Sequence, residues 1–307
     1  MRIWFIGSGA FAAACLAHMS ERLEFEKIVT GHPTKSGRGF KECPSCVERT
    51  VEDLGLSVER AGPLSRDENL VKAVSRDPPD VIFVVDFGQL VKEPFLSAPR
   101  HGCLNIHPSL LPRWRGAAPI QRALMNGDTV IGVTVFRLVE ELDAGPILAR
   151  AELAVPPEAT SADLFDILAL AGSQTAVVGI ESLIEGSYQF SDQNSEFATY
   201  AAKLTKDEAQ VSWNQNYLLL HNTVRAFASS TGAFAMVLGK RVKLWRTVPV
   251  DAEGAPGEVL YFLDGDPVVA CAEGAVRLQE VQSEGKRKIS GADWACGGRL
   301  KRGGVLT

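Results

Sequence analysis

Asn105 and His107 stand two residues apart in Cys103-Leu104-Asn105-Ile106-His107-Pro108, and Asp143 lies downstream in Leu142-Asp143-Ala144-Gly145-Pro146. An amide, an imidazole and a carboxylate together suit one reaction class, the attack of a neutral amine on a carbonyl carbon through a tetrahedral intermediate. That chemistry needs a hydrogen-bond donor for the developing oxyanion, which Asn105 and His107 can both supply. It also needs a proton acceptor for the amine. Imidazole works near neutrality, and Asp143 can orient His107, hold it charged or relay the proton through a water. No cysteine or serine has to act as nucleophile, so direct transfer between two bound substrates is the economical expectation.

Residues 102–107 read as a strand, so Asn105 and His107 project to one face, and Pro108 ends the ladder just beyond them. Both side chains then fall at the carboxyl end of a strand, where open α/β sheets place ligands. Further strands are expected at 2–6, 25–30, 56–60 and 80–85, alternating with helices at 46–54 and 66–75, as in a parallel sheet covered on both faces. A helix over 117–126, closed by Asn126-Gly127, precedes strand-like runs at 130–138 and 147–154. These runs flank the Asp143 turn and suit a hairpin, and a long helix over 161–185 follows. Polar residues 189–207, with Ser191-Asp192-Gln193-Asn194-Ser195, read as a linker. A helix at 214–227 and Val-rich runs at 241–245, 257–262, 267–272 and 275–281 fit a small barrel. The expected architecture is a Rossmann-like α/β domain with a mostly parallel sheet over 1–188, then a smaller OB-like β-barrel over 208–307.

The bulk properties bound the function. A chain of 307 residues, 46% hydrophobic, is long enough for two cores. Six scattered cysteines suit reduced thiols better than a disulfide framework. The first 20 residues lack a basic start followed by an apolar run, and no apolar stretch is read as reaching the roughly 18 residues that span a bilayer. A soluble cytoplasmic protein without a membrane partner is expected. A net charge of −5 argues against a dedicated nucleic-acid coat. Residues 206–307, however, hold 13 Lys and Arg against 11 Asp and Glu, clustered at Lys240-Arg241, Lys243 and Arg246 and again at Lys286-Arg287-Lys288 and Arg299 to Arg302. An RNA-facing surface there is plausible on charge grounds.

Two motifs invite other readings. Gly7-Ser8-Gly9-Ala10-Phe11-Ala12 has the spacing of a dinucleotide fingerprint, but the second strand runs into Thr30-Gly31-His32-Pro33 with no acidic residue for a ribose. A tight strand-to-helix turn is the better expectation. Cys43-Pro44-Ser45-Cys46 is half a zinc site by spacing, with no second pair to complete it, and reads as a loop entering a helix with no metal.

Asn105-Ile106-His107-Pro108-Ser109-Leu110-Leu111-Pro112, with the distant Leu142-Asp143-Ala144-Gly145, resembles the signature of folate-dependent formyltransferases. The resemblance extends along essentially the whole chain. It implies Asn105, His107 and Asp143 as the catalytic trio and 10-formyltetrahydrofolate as the formyl donor. It further implies donor contacts around Phe87 and Gly88 and along Ser109, Leu110, Leu111 and Pro112. Arg113-Trp114-Arg115-Gly116-Ala117-Ala118-Pro119-Ile120-Gln121 and Ser36-Gly37-Arg38-Gly39 point within that family to a member whose acceptor is initiator methionyl-tRNA, and a monomer is expected. Arg38 and Lys41 would then touch the acceptor stem and the C-terminal barrel would bind the tRNA. A small amine, such as a nucleotide-linked amino sugar, is the alternative acceptor. The chain departs from the family where Pro33-Thr34-Lys35-Ser36 replaces Pro-Asp-Lys/Arg-Pro, where Asp86-Phe87-Gly88 replaces Ala-Tyr-Gly, and where Ala228-Ser229-Ser230-Thr231 replaces a Pro-Trp-Pro turn.

Overall fold

The computed structural model describes residues 1–36 and 41–306. They form two compact units, each assembled from separated stretches of chain. One comprises Met1–Gly116, Ile131–Leu153 and Phe165–Tyr200, the other Ala117–Val130, Ala154–Leu164 and the chain from Ala201 onward.

The α/β unit is built on a seven-stranded sheet in the order Ile147–Ala154, Val130–Arg137, Cys103–His107, Val81–Val85, Ile3–Gly7, Lys27–Gly31, Glu59–Ala61. The last five strands of that order are mutually parallel, and Val130–Arg137 runs antiparallel to Cys103–His107. Ile3–Gly7 and Val81–Val85 are buried at every position. Their unbroken apolar runs follow from that burial, since a strand covered on both faces has no wet side to alternate with. The turn between Val130–Arg137 and Ile147–Ala154 is closed by Arg137 N donating to Pro146 O at 2.9 Å. It carries Asp143 at its tip.

The long helix Ser161–Glu185 corrects one expectation. By length and composition it is apolar enough to cross a membrane, with 56% of the qualifying window buried within the structure. Interspersed Gly, Ser and Thr interrupt the apolar run in the sequence and also let the helix lie close. A Cβ on Gly172 would stand 2.6 Å from Ile106 Cγ2 on the strand that carries His107.

The second unit has an antiparallel sheet in the order Ala233–Val237, Lys240–Val250, Ala275–Ser283, Asp266–Ala270, Val259–Leu263, with Ile289–Ser290 added on Ala275–Ser283, consistent with the expected barrel. Ala233–Val237 was absent from the sequence reading, as was the helix Gly291–Gly298, which Ser290 caps by accepting from Asp293 N. The helix Tyr217–Phe227 begins where the Asn216 side chain accepts from Leu218 N. Its His221 is 5% exposed, with Nδ1 2.9 Å from Thr247 Oγ1. Burial first, and the Arg225 guanidinium second, push the His221 pKa down to about 4. The unfolded chain takes up a proton on this group below about pH 6.5 while the folded chain stays neutral to about 4. This group's stabilisation is therefore whole above that window and is lost as pH falls through it, by up to ~3 kcal/mol. Urea unfolding at stepped pH should give a slope across the window that is shallower in His221→Gln.

Candidate active site

Strand alternation sets the two central side chains. In Cys103–His107, Leu104 and Ile106 are buried on one face while Asn105 and His107 share the other, with Asn105 opposite Phe136 and His107 opposite Thr134 on the antiparallel neighbour. Asn105 Nδ2 donates to Val84 O at 2.6 Å. An amide nitrogen carries two hydrogens, so this bond fixes the amide plane and leaves the second N–H available at the sheet's carboxyl edge.

His107 is 6% exposed and lies edge-on to Phe136, with ring centroids 6.4 Å apart. Its Nε2 is 2.9 Å from Trp114 O. A carbonyl can only accept, so in the neutral ring the proton is assigned to Nε2 and the lone pair to Nδ1. Nδ1 is 3.9 Å from Asp143 Oδ2, whose other contact is a 2.8 Å bond accepted from Gly116 N. That lone pair thus faces a carboxylate that would stabilise the ring once it is charged. Three expected residues meet here, two from one strand and one from a hairpin turn.

Asp143 is held in the left-handed region, at φ 51°. Gly145 makes that turn possible, because a Cβ there would stand 1.7 Å from Arg137 O, a backbone atom that cannot swing aside. Gly145→Ala should therefore displace the turn and, with Asp143 in its expected role, lower turnover on the order of 10²-fold, as ångström-scale misplacement of such a group does. Unchanged far-UV circular dichroism with wild-type turnover would refute this account of the turn.

The segments expected to contact a donor lie beside this cluster. Phe87 is buried in the core under the sheet, and Gly88 follows it exposed, at φ 71°. Ser109 is 1% exposed, its hydroxyl donating to Arg113 O at 2.7 Å, while Thr134 Oγ1 donates to Ser109 O and accepts from Leu111 N. Leu111 is buried, and Leu110 and Pro112 are partly exposed. Arg38 lies outside the described residues. Lys41 opens the short strand Lys41–Cys43, paired antiparallel with Thr34–Ser36.

The glycine turn after the first strand is filled from within the chain. Asp86, at the end of Val81–Val85, accepts from Ser8 N and Gly9 N through its backbone oxygen and from Phe11 N through its carboxylate at 3.2 Å. A Cβ on Gly9 would stand 1.8 Å from Asp86 Oδ2. Burial raises the Asp86 pKa, and the helix N–H groups pull it back in part. The position at which a pyrophosphate would meet the helix N-terminus is occupied by the protein's own carboxylate. Ser45 caps Cys46–Asp53 by accepting from Glu48 N, so Cys43 and Cys46 flank a helix start. Among the described residues no group of three or more His, Cys, Asp and Glu could hold a metal.

Two supporting residues escaped the sequence reading. Arg115 is 1% exposed and directs Nε and Nη2 at Gln193 Oε1, at 3.2 and 3.0 Å. Gln193 belongs to the polar stretch read as a linker, in which only loss of periodicity was visible. That stretch is bonded in, with Ser191 and Ile147 exchanging backbone bonds and Arg115 N donating to Thr199 O.

Residues 1–178 match the family described as Formyl transferase, and residues 203–299 match Formyl transferase, C-terminal domain. A methionyl-tRNA formyltransferase of Methylobacterium nodulans is 38% identical, over 100% of this chain and 99% of that one. Two solved structures share the fold. HypX from Aquifex aeolicus, in complex with tetrahydrofolic acid, superposes with TM-score 0.62 at 22% identity, over 96% of this chain, which spans only 47% of HypX. An N-formyltransferase from Helicobacter canadensis, in complex with folinic acid and dTDP-3-aminofucose, gives TM-score 0.67 at 16% identity over 92% of this chain and 99% of that one.

Proposed function

This chain belongs to the formyl transferase family, and from that premise we propose that it transfers the formyl group of 10-formyltetrahydrofolate to the amino group of initiator methionyl-tRNA, supporting translation initiation from the cytoplasm. The observation that carries the reading is the meeting of Asn105, His107 and Asp143 at one sheet edge, 3.9 Å between the last two, in a chain similar throughout to a methionyl-tRNA formyltransferase.

The donor set fits an acyl transfer. The acceptor amine attacks the formyl carbon and the carbonyl oxygen gathers charge, which the second N–H of Asn105 meets as an oriented donor. The amine proton passes to His107 Nδ1, the nitrogen left unprotonated by the bond to Trp114 O. The imidazolium is stabilised by Asp143 and returns the proton to the leaving folate nitrogen as the tetrahedral intermediate collapses. Phe87, Gly88 and the run Ser109 to Pro112 would hold the folate. Arg38, Lys41 and the basic C-terminal sheet would hold the tRNA, with one copy of the chain sufficient.

An acceptor panel tests this. The full chain, given 10-formyltetrahydrofolate, should formylate charged initiator tRNA and leave nucleotide-linked amino sugars untouched. Formylated amino sugar without formylmethionyl-tRNA would overturn the tRNA reading, and formate released without an amine would replace transfer with hydrolysis.

A further inference from the structure

We propose that Gln193 and the buried Arg115 it clamps are positioning residues for Asp143, setting how fast the proton leaves the attacking amine. This rests on the catalytic role given to Asp143 above.

Burying a guanidinium is costly unless its N–H groups are met. Arg115 meets them with the Gln193 oxygen and, through Nη1, with Glu141 Oε1 at 3.1 Å, a carboxylate on a side chain 68% exposed. The Gln193 oxygen is therefore the buried half of the arrangement. Its placement dictates the rest of the amide, whose Nε2 turns to Asp143 O at 2.8 Å and Gly145 O at 2.7 Å. A flipped amide would set NH₂ against the guanidinium and oxygen against two carbonyls, so the arginine fixes which way the donors point.

The backbone beside Arg115 reaches Asp143 from its other end. The carboxylate accepts from Gly116 N, and Gly116 follows Arg115, whose own N–H is tied to Thr199 O at 2.8 Å. Trp114, one residue before, supplies the carbonyl that sets the His107 tautomer. Asp143 is thus gripped at its backbone by Gln193 and at its carboxylate by the residue beside Arg115. Such a grip is what a non-glycine residue at φ 51° requires to persist.

The test is a double-mutant cycle on the full chain with 10-formyltetrahydrofolate and charged initiator tRNA, measuring kcat and both KM values. Gln193→Ala should lower kcat by about 10- to 100-fold with both KM values near wild type, and the same change made in Asp143→Asn should cost nothing further. Gln193→Glu keeps an oxygen for Arg115 and loses both donors, so it should fall as far as Gln193→Ala. It serves as the second variant if the alanine form does not fold. Equal losses from Gln193→Ala in both backgrounds, or wild-type kcat in Gln193→Glu, would overturn the proposal while leaving the catalytic reading intact. Wild-type kcat in Asp143→Asn would instead remove the reading on which it rests.

Discussion

His107→Ala lowers the rate of formyl transfer by roughly 10²- to 10⁴-fold, the range in which a positioned acid–base group contributes, while a folate analogue still binds. The expectation follows from how the ring is spent. Nε2 is committed to Trp114 O at 2.9 Å, which leaves Nδ1 as the basic nitrogen facing Asp143 at 3.9 Å. The imidazole is almost wholly buried against Phe136, so bulk water is a poor substitute base at that point. His107→Gln separates chemistry from support, because glutamine can still donate to the Trp114 carbonyl but cannot take a proton. Single-turnover formylation should be as slow in His107→Gln as in His107→Ala. A glutamine variant at wild-type speed would mean that the ring only holds the loop and that the base lies elsewhere.

Local pattern made half of this site legible. Two polar side chains two apart in an otherwise apolar strand must share a face, and the break at Pro108 puts them at its end. Asp143 was visible as a residue beside a turn, because the turn lies between two strand-like runs. What brings it to His107 is the antiparallel addition of Val130–Arg137 beside Cys103–His107, a pairing between distant stretches that no window of sequence contains. Gln193 was illegible for the same reason. Its partners are distant in sequence and its neighbours have the composition of any exposed loop.

The glycine turn shows the reverse failure, a motif whose spacing is right and whose meaning depends on another strand. Only the parallel register of Gly7 with Val85 brings Asp86 over Gly9. In the C-terminal unit, Ala233–Val237 was missed because Ala and Met carry little β-preference. The one local cue was Gly239, which with Leu238 takes positive φ and closes a two-residue hairpin between Val237 and Lys240. The grouping of Ala117–Val130 and Ala154–Leu164 with the C-terminal residues has no local signature at all, since it is made by the packing of helix Pro119–Asn126 on Tyr217–Phe227 and by long-range bonds such as Arg225 Nη1 to Pro157 O and Ser229 N to Ser161 Oγ.

Asn105→Ala is expected to cost about 10²- to 10³-fold in kcat, the usual loss on removing one donor from an oxyanion position, and to leave both KM values nearly unchanged. The split follows from when the contact matters. A neutral formyl oxygen gains little from one more hydrogen bond than it had in water, whereas the charged oxygen of the intermediate gains much from a donor already aimed by the bond to Val84 O. Asn105→Asp sharpens the test, for it preserves volume while removing both N–H groups. Its carboxylate would face the Val84 carbonyl and the forming oxyanion, so its kcat should fall below that of Asn105→Ala. If the aspartate variant were the faster of the two, charge at this position would be helping the reaction. Asn105 would then be acting on the cationic side of the proton transfer rather than on the oxyanion.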